Sequence, residues 1–162
     1  MVQNLRGQIK DPPVFKPLSS YRFLPFFFLL ILTAFKSVPS DIDDDVLRYT
    51  NQFRRSNGLS PLQMRSDLNE LARKHSEDMA KGKCEFGHSG FDQRYEKVKK
   101  IFQSCTAAEN VAYGASTGRE VVEMWENSSA HRRNMLGKYN YVGIGTARDR
   151  GGRLYYTQLF VK

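Results

Sequence analysis

Side chains of the right types for chemistry include His75, His88, Glu109 and His131, with Cys84 and Cys105. Two neutral imidazoles and a carboxylate suit a borderline divalent cation such as zinc, with water completing the shell. Such a set would serve a metal-dependent hydrolase, with Glu109 as ligand or base. Without metal, the same carboxylate would pair with an imidazole and raise its pKa, making the site a polar network. The setting of each residue is informative. His88 lies between Gly87 and Gly90, where the backbone must bend, so its ring is presented rather than buried. Glu109 sits in Ala107-Ala108-Glu109-Asn110-Val111-Ala112, an apolar run in which a carboxylate needs a partner. His131 lies in the polar turn that ends the stretch Glu120–Leu136, which holds the single Trp and reads as one wall of a cleft with His131 at its lip.

The other candidates are weaker. His75 falls on the apolar face of a helix and reads as a hydrogen-bonded core residue. Cys84 and Cys105 form an even pair in the segment after the N-terminal leader, and in an oxidising compartment they are expected to form a disulfide worth about 3 kcal/mol. A zinc site from Cys84, His88 and Cys105 has a Cys-x-x-x-His spacing unlike structural zinc modules. Ser89, Ser128 and Ser129 lie near the histidines, but no nucleophile elbow, HExxH or paired acidic motif accompanies them.

These residues need positioning elements. Val46, Tyr49, Thr50 and Phe53 recur at helical spacing over Asp41–Asn57, with Asp41, Asp43, Asp44 and Asp45 at the start and Asn57-Gly58 at the end. Leu68, Leu71, Ala72, His75 and Met79 stripe a helix over Ser66–Ala80, with Asp67 and Glu70 resembling a capping box. Phe91, Tyr95, Val98 and Phe102 predict a third helix. Arg119–Asn127 is a fourth, offering Val121, Val122, Met124, Trp125 and Ser128 to the core. One strand is expected near Val111. Tyr141–Arg148 and Arg153–Val161 read as a hairpin around Asp149–Gly152. Gly143 and Gly145 leave one face of the first hairpin strand bare, so something bulky packs there. Gly58–Leu62 is a turn returning two leucines to the core.

The chain has 162 residues and a net charge of +8, half of it within residues 1–40. The remaining segment is only mildly basic, so nucleic acid is not an expected partner. Phe23–Phe35 is an apolar run between Arg22 and Lys36, too short for a bilayer span of roughly 20 residues and suited to a secretory signal. Residues 1–40 are therefore read as a signal or anchor segment, with Ser37 and Ser40 as cleavage-site residues, and residues 41–162 as the domain. Membrane contact is expected only through that segment if it stays uncleaved, and the domain is expected to be a monomer outside the cell or in its envelope.

Taken in order, several segments resemble the CAP superfamily, the SCP-like domain of cysteine-rich secretory proteins, antigen 5 and pathogenesis-related proteins, in its compact bacterial extracellular form. They are Asn51-Gln52-x-Arg54 with Gly58-Leu59-x-Pro61-Leu62, Leu71-Ala72-x-x-His75-Ser76-x-Asp78-Met79, Gly87-His88-Ser89, and Ala108-Glu109-Asn110-Val111-Ala112. Trp125-x-Asn127-Ser128-x-x-His131-Arg132-x-Asn134-Met135-Leu136, Val142-Gly143-Ile144-Gly145 and Tyr155-Tyr156-Thr157-Gln158-x-Phe160 complete the series. The resemblance implies an α+β fold, a three-layer α-β-α sandwich with a small, mainly antiparallel central sheet and a cleft. It also implies a cleft tetrad of two His and two Glu that binds a divalent metal in some members. By motif, His88, Glu109 and His131 supply three of the four. The second Glu falls at Ser128, and the nearby Glu123 and Glu126 point about 140° and 160° away from it around an ideal helix; Glu123 is kept as a weak metal candidate. The expected function is a non-enzymatic binding module for a small apolar or glycan-like ligand, a cell-envelope polymer or a protein partner. The alternatives are a zinc-dependent hydrolase using His88, His131 and Glu109, and a structural or signalling domain without cleft chemistry.

Overall fold

The computed structural model describes residues 41–162. The signal or anchor segment expected over residues 1–40 lies outside the described residues. Nine elements follow in order: α1 Ile42–Ser56, β1 Gln63–Met64, α2 Ser66–Ala80, α3 Phe91–Ile101, β2 Ala107–Tyr113, α4 Gly118–Asn127, α5 Ser129–Met135, β3 Tyr141–Arg148 and β4 Leu154–Val161.

The sheet has the order β1-β3-β4-β2, with β1 parallel to β3 and the other two pairs antiparallel. Because strand side chains alternate, each strand feeds two cores. On one face, Val142, Ile144, Tyr156 and Phe160 pack with Val46 of α1, Val121, Val122 and Trp125 of α4 and Met135 of α5. On the other, Leu159 and Val161 pack with Leu68 of α2 and Val98 of α3. The result is the expected three-layer α-β-α arrangement.

The bare face of β3 is where α2 lies. A Cβ at Gly143 would stand 2.3 Å from the Leu68 carbonyl, and one at Gly145 would stand 2.1 Å from the Arg73 nitrogen. Glycine there lets the helix backbone rest on the sheet. Ser76 then donates to the Gly145 carbonyl at 2.7 Å and Asn69 accepts from the Ile144 N–H at 2.9 Å, tying helix to strand.

Several local expectations are corrected. The polar turn after α4 is a helix, α5, in which only Met135 is buried. The supposed capping box of α2 does not form: its N-cap is Arg65 without a side-chain cap bond, and Asp67 instead accepts from Arg65 at 2.6 Å and from the Leu68 N–H at 2.9 Å. Met124 faces outward, 44% exposed. Of the two leucines in the Gly58–Leu62 turn, Leu62 is buried, pinned by Asn51, whose amide both donates to its carbonyl and accepts from its N–H.

The expected disulfide is absent: Cys84 and Cys105 are free thiols, both half-buried. Cys105 packs against the cluster of Leu68, Val98, Leu159 and Val161, whereas Cys84 lies in the loop after α2, where it feels the charges of Asp78, Arg94 and Lys74.

Candidate functional site

Glu109 is the centre. On β2 its side chain turns to the α2/α3 face and is only 1% exposed. Arg94 meets it with two parallel bonds, Nε to Oε2 and Nη2 to Oε1, both 2.7 Å. Paired carboxylate and guanidinium forks are the strong form of such a contact, and burial removes the screening that weakens surface pairs. Arg94 also donates through Nη1 to the Ser89 carbonyl at 2.9 Å, so one side chain ties α3 to the His88 loop and to β2. Gly90, in the left-handed region at φ 74°, turns that loop into α3.

His88 stands on this pair. Its Nδ1 is 3.0 Å from Glu109 Oε1, and its side chain is 52% exposed. The carboxylate contact fixes one edge of the ring, so the solvent-facing edge carries Nε2. Below it, His75 is buried as expected, with Nε2 2.8 Å from the Gly87 carbonyl and 4.0 Å from Glu109 Oε1. Burial, ahead of the nearby Arg94 charge, holds the His75 pKa below the ordinary imidazole value. Beside His88 a hollow of about 200 Å³ is lined by His88, Phe91, Ala107, Ala108 and Glu109.

His131 reaches this region differently. It is half-buried on α5, and burial followed by repulsion from His88 lowers its pKa. What fixes its position is main chain: the His131 carbonyl accepts from Asn110 Nδ2 at 3.2 Å. Asn110 belongs to a buried amide chain. Asn134 donates to the Asn110 side chain at 2.9 Å and to the Glu109 carbonyl at 3.1 Å, and Gln158 accepts from Asn110 at 3.4 Å and donates to Thr50 at 2.9 Å. This chain joins α5, β2, β4 and α1 and sets α5 against the cleft.

Glu123 and Glu126 belong elsewhere. Both line a groove with Tyr49, Gln52, Phe53 and Arg119 between α1 and α4. Ser128, at the position of the second Glu, is the residue between α4 and α5 and makes no side-chain cap bond. Asn127 ends α4, donating to the Glu123 carbonyl at 2.9 Å.

The donor set therefore does not fit a divalent ion as it stands. Among the described residues, no group of three His, Cys, Asp or Glu side chains could hold a metal. Both Glu109 oxygens already receive a guanidinium, whose positive charge occupies the place a cation would take.

Arg94 is the residue that sequence reasoning missed. Its signal is its position, three after Phe91 and four before Val98, on the apolar stripe of α3 where a solvated charge does not belong. Arg54 appears in the sequence as part of the Asn51-Gln52-x-Arg54 motif, with no partner indicated. It is 2% exposed and donates to the carbonyls of Ser60, Met135, Gly137 and Tyr139, closing the C-terminal end of α5 onto α1.

The fold is thus an α+β, three-layer α-β-α sandwich that carries a buried Glu–Arg pair under an exposed His. Residues 47–160 match the family described as "CAP: Cysteine-rich secretory protein family", and the chain belongs to that family. It is 37% identical over 131 residues to the uncharacterized protein YkwD of Bacillus subtilis, covering 77% of this chain and 50% of that protein. It is 34% identical over 133 residues to the uncharacterized membrane protein YlbC of the same organism, covering 78% of this chain and 36% of that one. The chain thus spans at most half the length of these curated relatives. Among solved structures it is similar to an extracellular SCP-domain protein of Bacillus anthracis, at 28% identity and a TM-score of 0.65, covering 75% of this chain and 40% of that one.

Proposed function

We propose that the chain is an extracellular or envelope-held binding module whose cleft takes a sugar-sized segment of a cell-envelope polymer and performs no chemistry on it. The observation that carries this reading is how the site divides its work. Glu109 is sealed, neutralised by Arg94 and committed to orienting His88, while His88 is exposed at the edge of an apolar hollow. An oriented imidazole beside Phe91 and two alanines offers one directional polar contact and a small apolar floor. A hollow of about 200 Å³ falls below the roughly 300–1,000 Å³ of sites that bury a drug-sized ligand, so a glycan-like group fits better than a buried lipid. The extracellular description of the Bacillus anthracis protein supports a location outside the cell. Among the described residues no helix is long and apolar enough to cross a membrane.

A zinc-dependent hydrolase on His88, His131 and Glu109 would require Glu109 to release Arg94. A purely structural role fits the amide chain through Asn110, Asn134 and Gln158, but it leaves the exposure of His88 without a purpose.

Retention of the full chain on isolated cell-envelope polysaccharide tests the proposal. The wild type is expected to be retained, and His88→Ala to weaken retention roughly five- to tenfold, the scale of one lost hydrogen bond. A wild type that is not retained contradicts it.

A further inference from the structure

Two large apolar side chains that the fold leaves exposed touch each other beside the cleft. Phe86 is 49% exposed and Tyr113 43%, with ring centroids 4.7 Å apart and planes at 73°. Exposed apolar side chains that cluster mark binding surfaces, whereas single scattered ones do not. Tyr113 is held in turn by two neighbours. Tyr155, its cross-strand partner on β4, stacks on it at 5.7 Å, and the Arg153 guanidinium lies 5.6 Å from its ring centre. We infer that Phe86, Tyr113 and Arg153 form a second sugar subsite next to the His88 hollow, with Phe86 as the stacking platform, so that the cleft takes at least two linked rings of a glycan chain.

The ring geometry selects the ligand. In an edge-to-face pair, whichever ring presents its edge, Phe86 keeps at least one face clear of Tyr113. A free aromatic face suits the apolar C–H face of a sugar ring. The phenol hydroxyls of Tyr113 and Tyr155 and the Arg153 fork offer hydrogen bonds to the hydroxyls at the sugar's rim. Three rings are too small an area for a stable protein interface, which buries at least about 1,000 Å² in total.

Position ties this corner to the cleft. Phe86 and His88 are two residues apart in one loop, so their Cα atoms are at most about 7 Å apart. Glu109 under His88 and Tyr113 beside Phe86 lie on one face of β2, because side chains four apart on a strand point the same way. Both contacts of the loop therefore fall on the same side of the sheet, and a sugar ring linked to one at His88 reaches Phe86. The loop is set before any ligand arrives. His75 Nε2 lies 2.8 Å from the Gly87 carbonyl, Glu109 holds the His88 ring at 3.0 Å, and Arg94 donates to the Ser89 carbonyl at 2.9 Å. The three residues after Phe86 are thus each fixed by a side chain from a different element, α2, β2 and α3, which cuts the ordering cost of binding. The inference rests on the glycan-binding reading above and adds the platform and the second ring to it.

The test titrates the full, isotope-labelled chain with size-fractionated fragments of cell-envelope polysaccharide, one, two and four sugar rings long. Wild type is compared with Phe86→Ala, Phe86→Leu and Phe86→Trp, all at a half-exposed loop position where substitution is expected to spare the fold. Two-ring fragments are expected to bind wild type at least about fivefold tighter than one-ring fragments, the scale of one aromatic stacking contact. They should also shift Phe86 and Tyr113 resonances that one-ring fragments leave still. Phe86→Ala and Phe86→Leu should lose that gain while keeping one-ring affinity, and Phe86→Trp should keep it, because leucine is apolar but has no ring face. A two-ring gain that persists in Phe86→Ala, or no gain in wild type while His88 still shifts, overturns the inference and leaves binding at His88 standing. Shifts at Phe86 and Tyr113 that survive His88→Ala sink the role given to His88 and uphold the platform. No shift with any fragment overturns both.

Discussion

The Arg94–Glu109 pair sets the energetics of the site because each partner is buried on the other's account. Truncating one leaves the opposite charge without compensation, a loss of about 3–5 kcal/mol in comparable buried pairs. Arg94→Met is therefore expected to lower the unfolding free energy measured in urea by that much, and Arg94→Met with Glu109→Leu to recover a large part of it; a single variant as stable as wild type would contradict the pairing. Acid should act on the same site. His75 and His131 both have pKa values depressed below 6.5, first by burial. Acidifying through about 6.5 then protonates the unfolded chain before the folded one. Their contribution to stability is complete above that value and is lost as pH falls toward the depressed folded values. Thermal midpoints measured at pH 7.5, 6 and 5 should fall with pH, and His75→Gln should flatten the fall; a midpoint that rises on acidification would refute the sign. Asp43, raised above 3.8 chiefly by burial, works in the opposite sense, since its contribution is lost as pH rises through its folded value.

Among elements, the contact of α2 with β3 is the tightest. Alanine at Gly145 would place a methyl carbon 2.1 Å from the Arg73 nitrogen, so helix and sheet must part. Gly145→Ala should cost at least about 1–3 kcal/mol, as overpacked cores do, and a melt unchanged by it would show that α2 stands off the sheet. This contact was legible in the sequence, because alternating glycines in a β-rich run leave one face empty. The stripes of α1, α2, α3 and α4 were legible for the same reason: each repeats its apolar residues at helical spacing. Helix α5 was not, since seven residues carrying His131, Arg132, Arg133 and Asn134 show no stripe; its place comes from Arg54 and Asn110, distant in sequence. The Arg94–Glu109 bond joins residues on different elements, and pattern alone marks only that each needs a partner. An even cysteine count says nothing about distance. With Cys84 and Cys105 both free, the denatured chain should take up two alkyl groups without reductant, read as a mass shift.

Among the described residues, the two cores and the amide chain hold β2 and α5 in place and leave the His88 ring half exposed in the cleft. In the proposed binding role that ring is the contact point for an envelope glycan. The most direct test is to titrate soluble fragments of cell-envelope polysaccharide into isotope-labelled protein and follow backbone amide resonances. Saturable shifts concentrated at His88, Phe91 and Ala107–Glu109 are expected, abolished in His88→Ala. Shifts confined to the α1/α4 groove of Tyr49 and Glu126, or no shifts at saturating fragment, would contradict it.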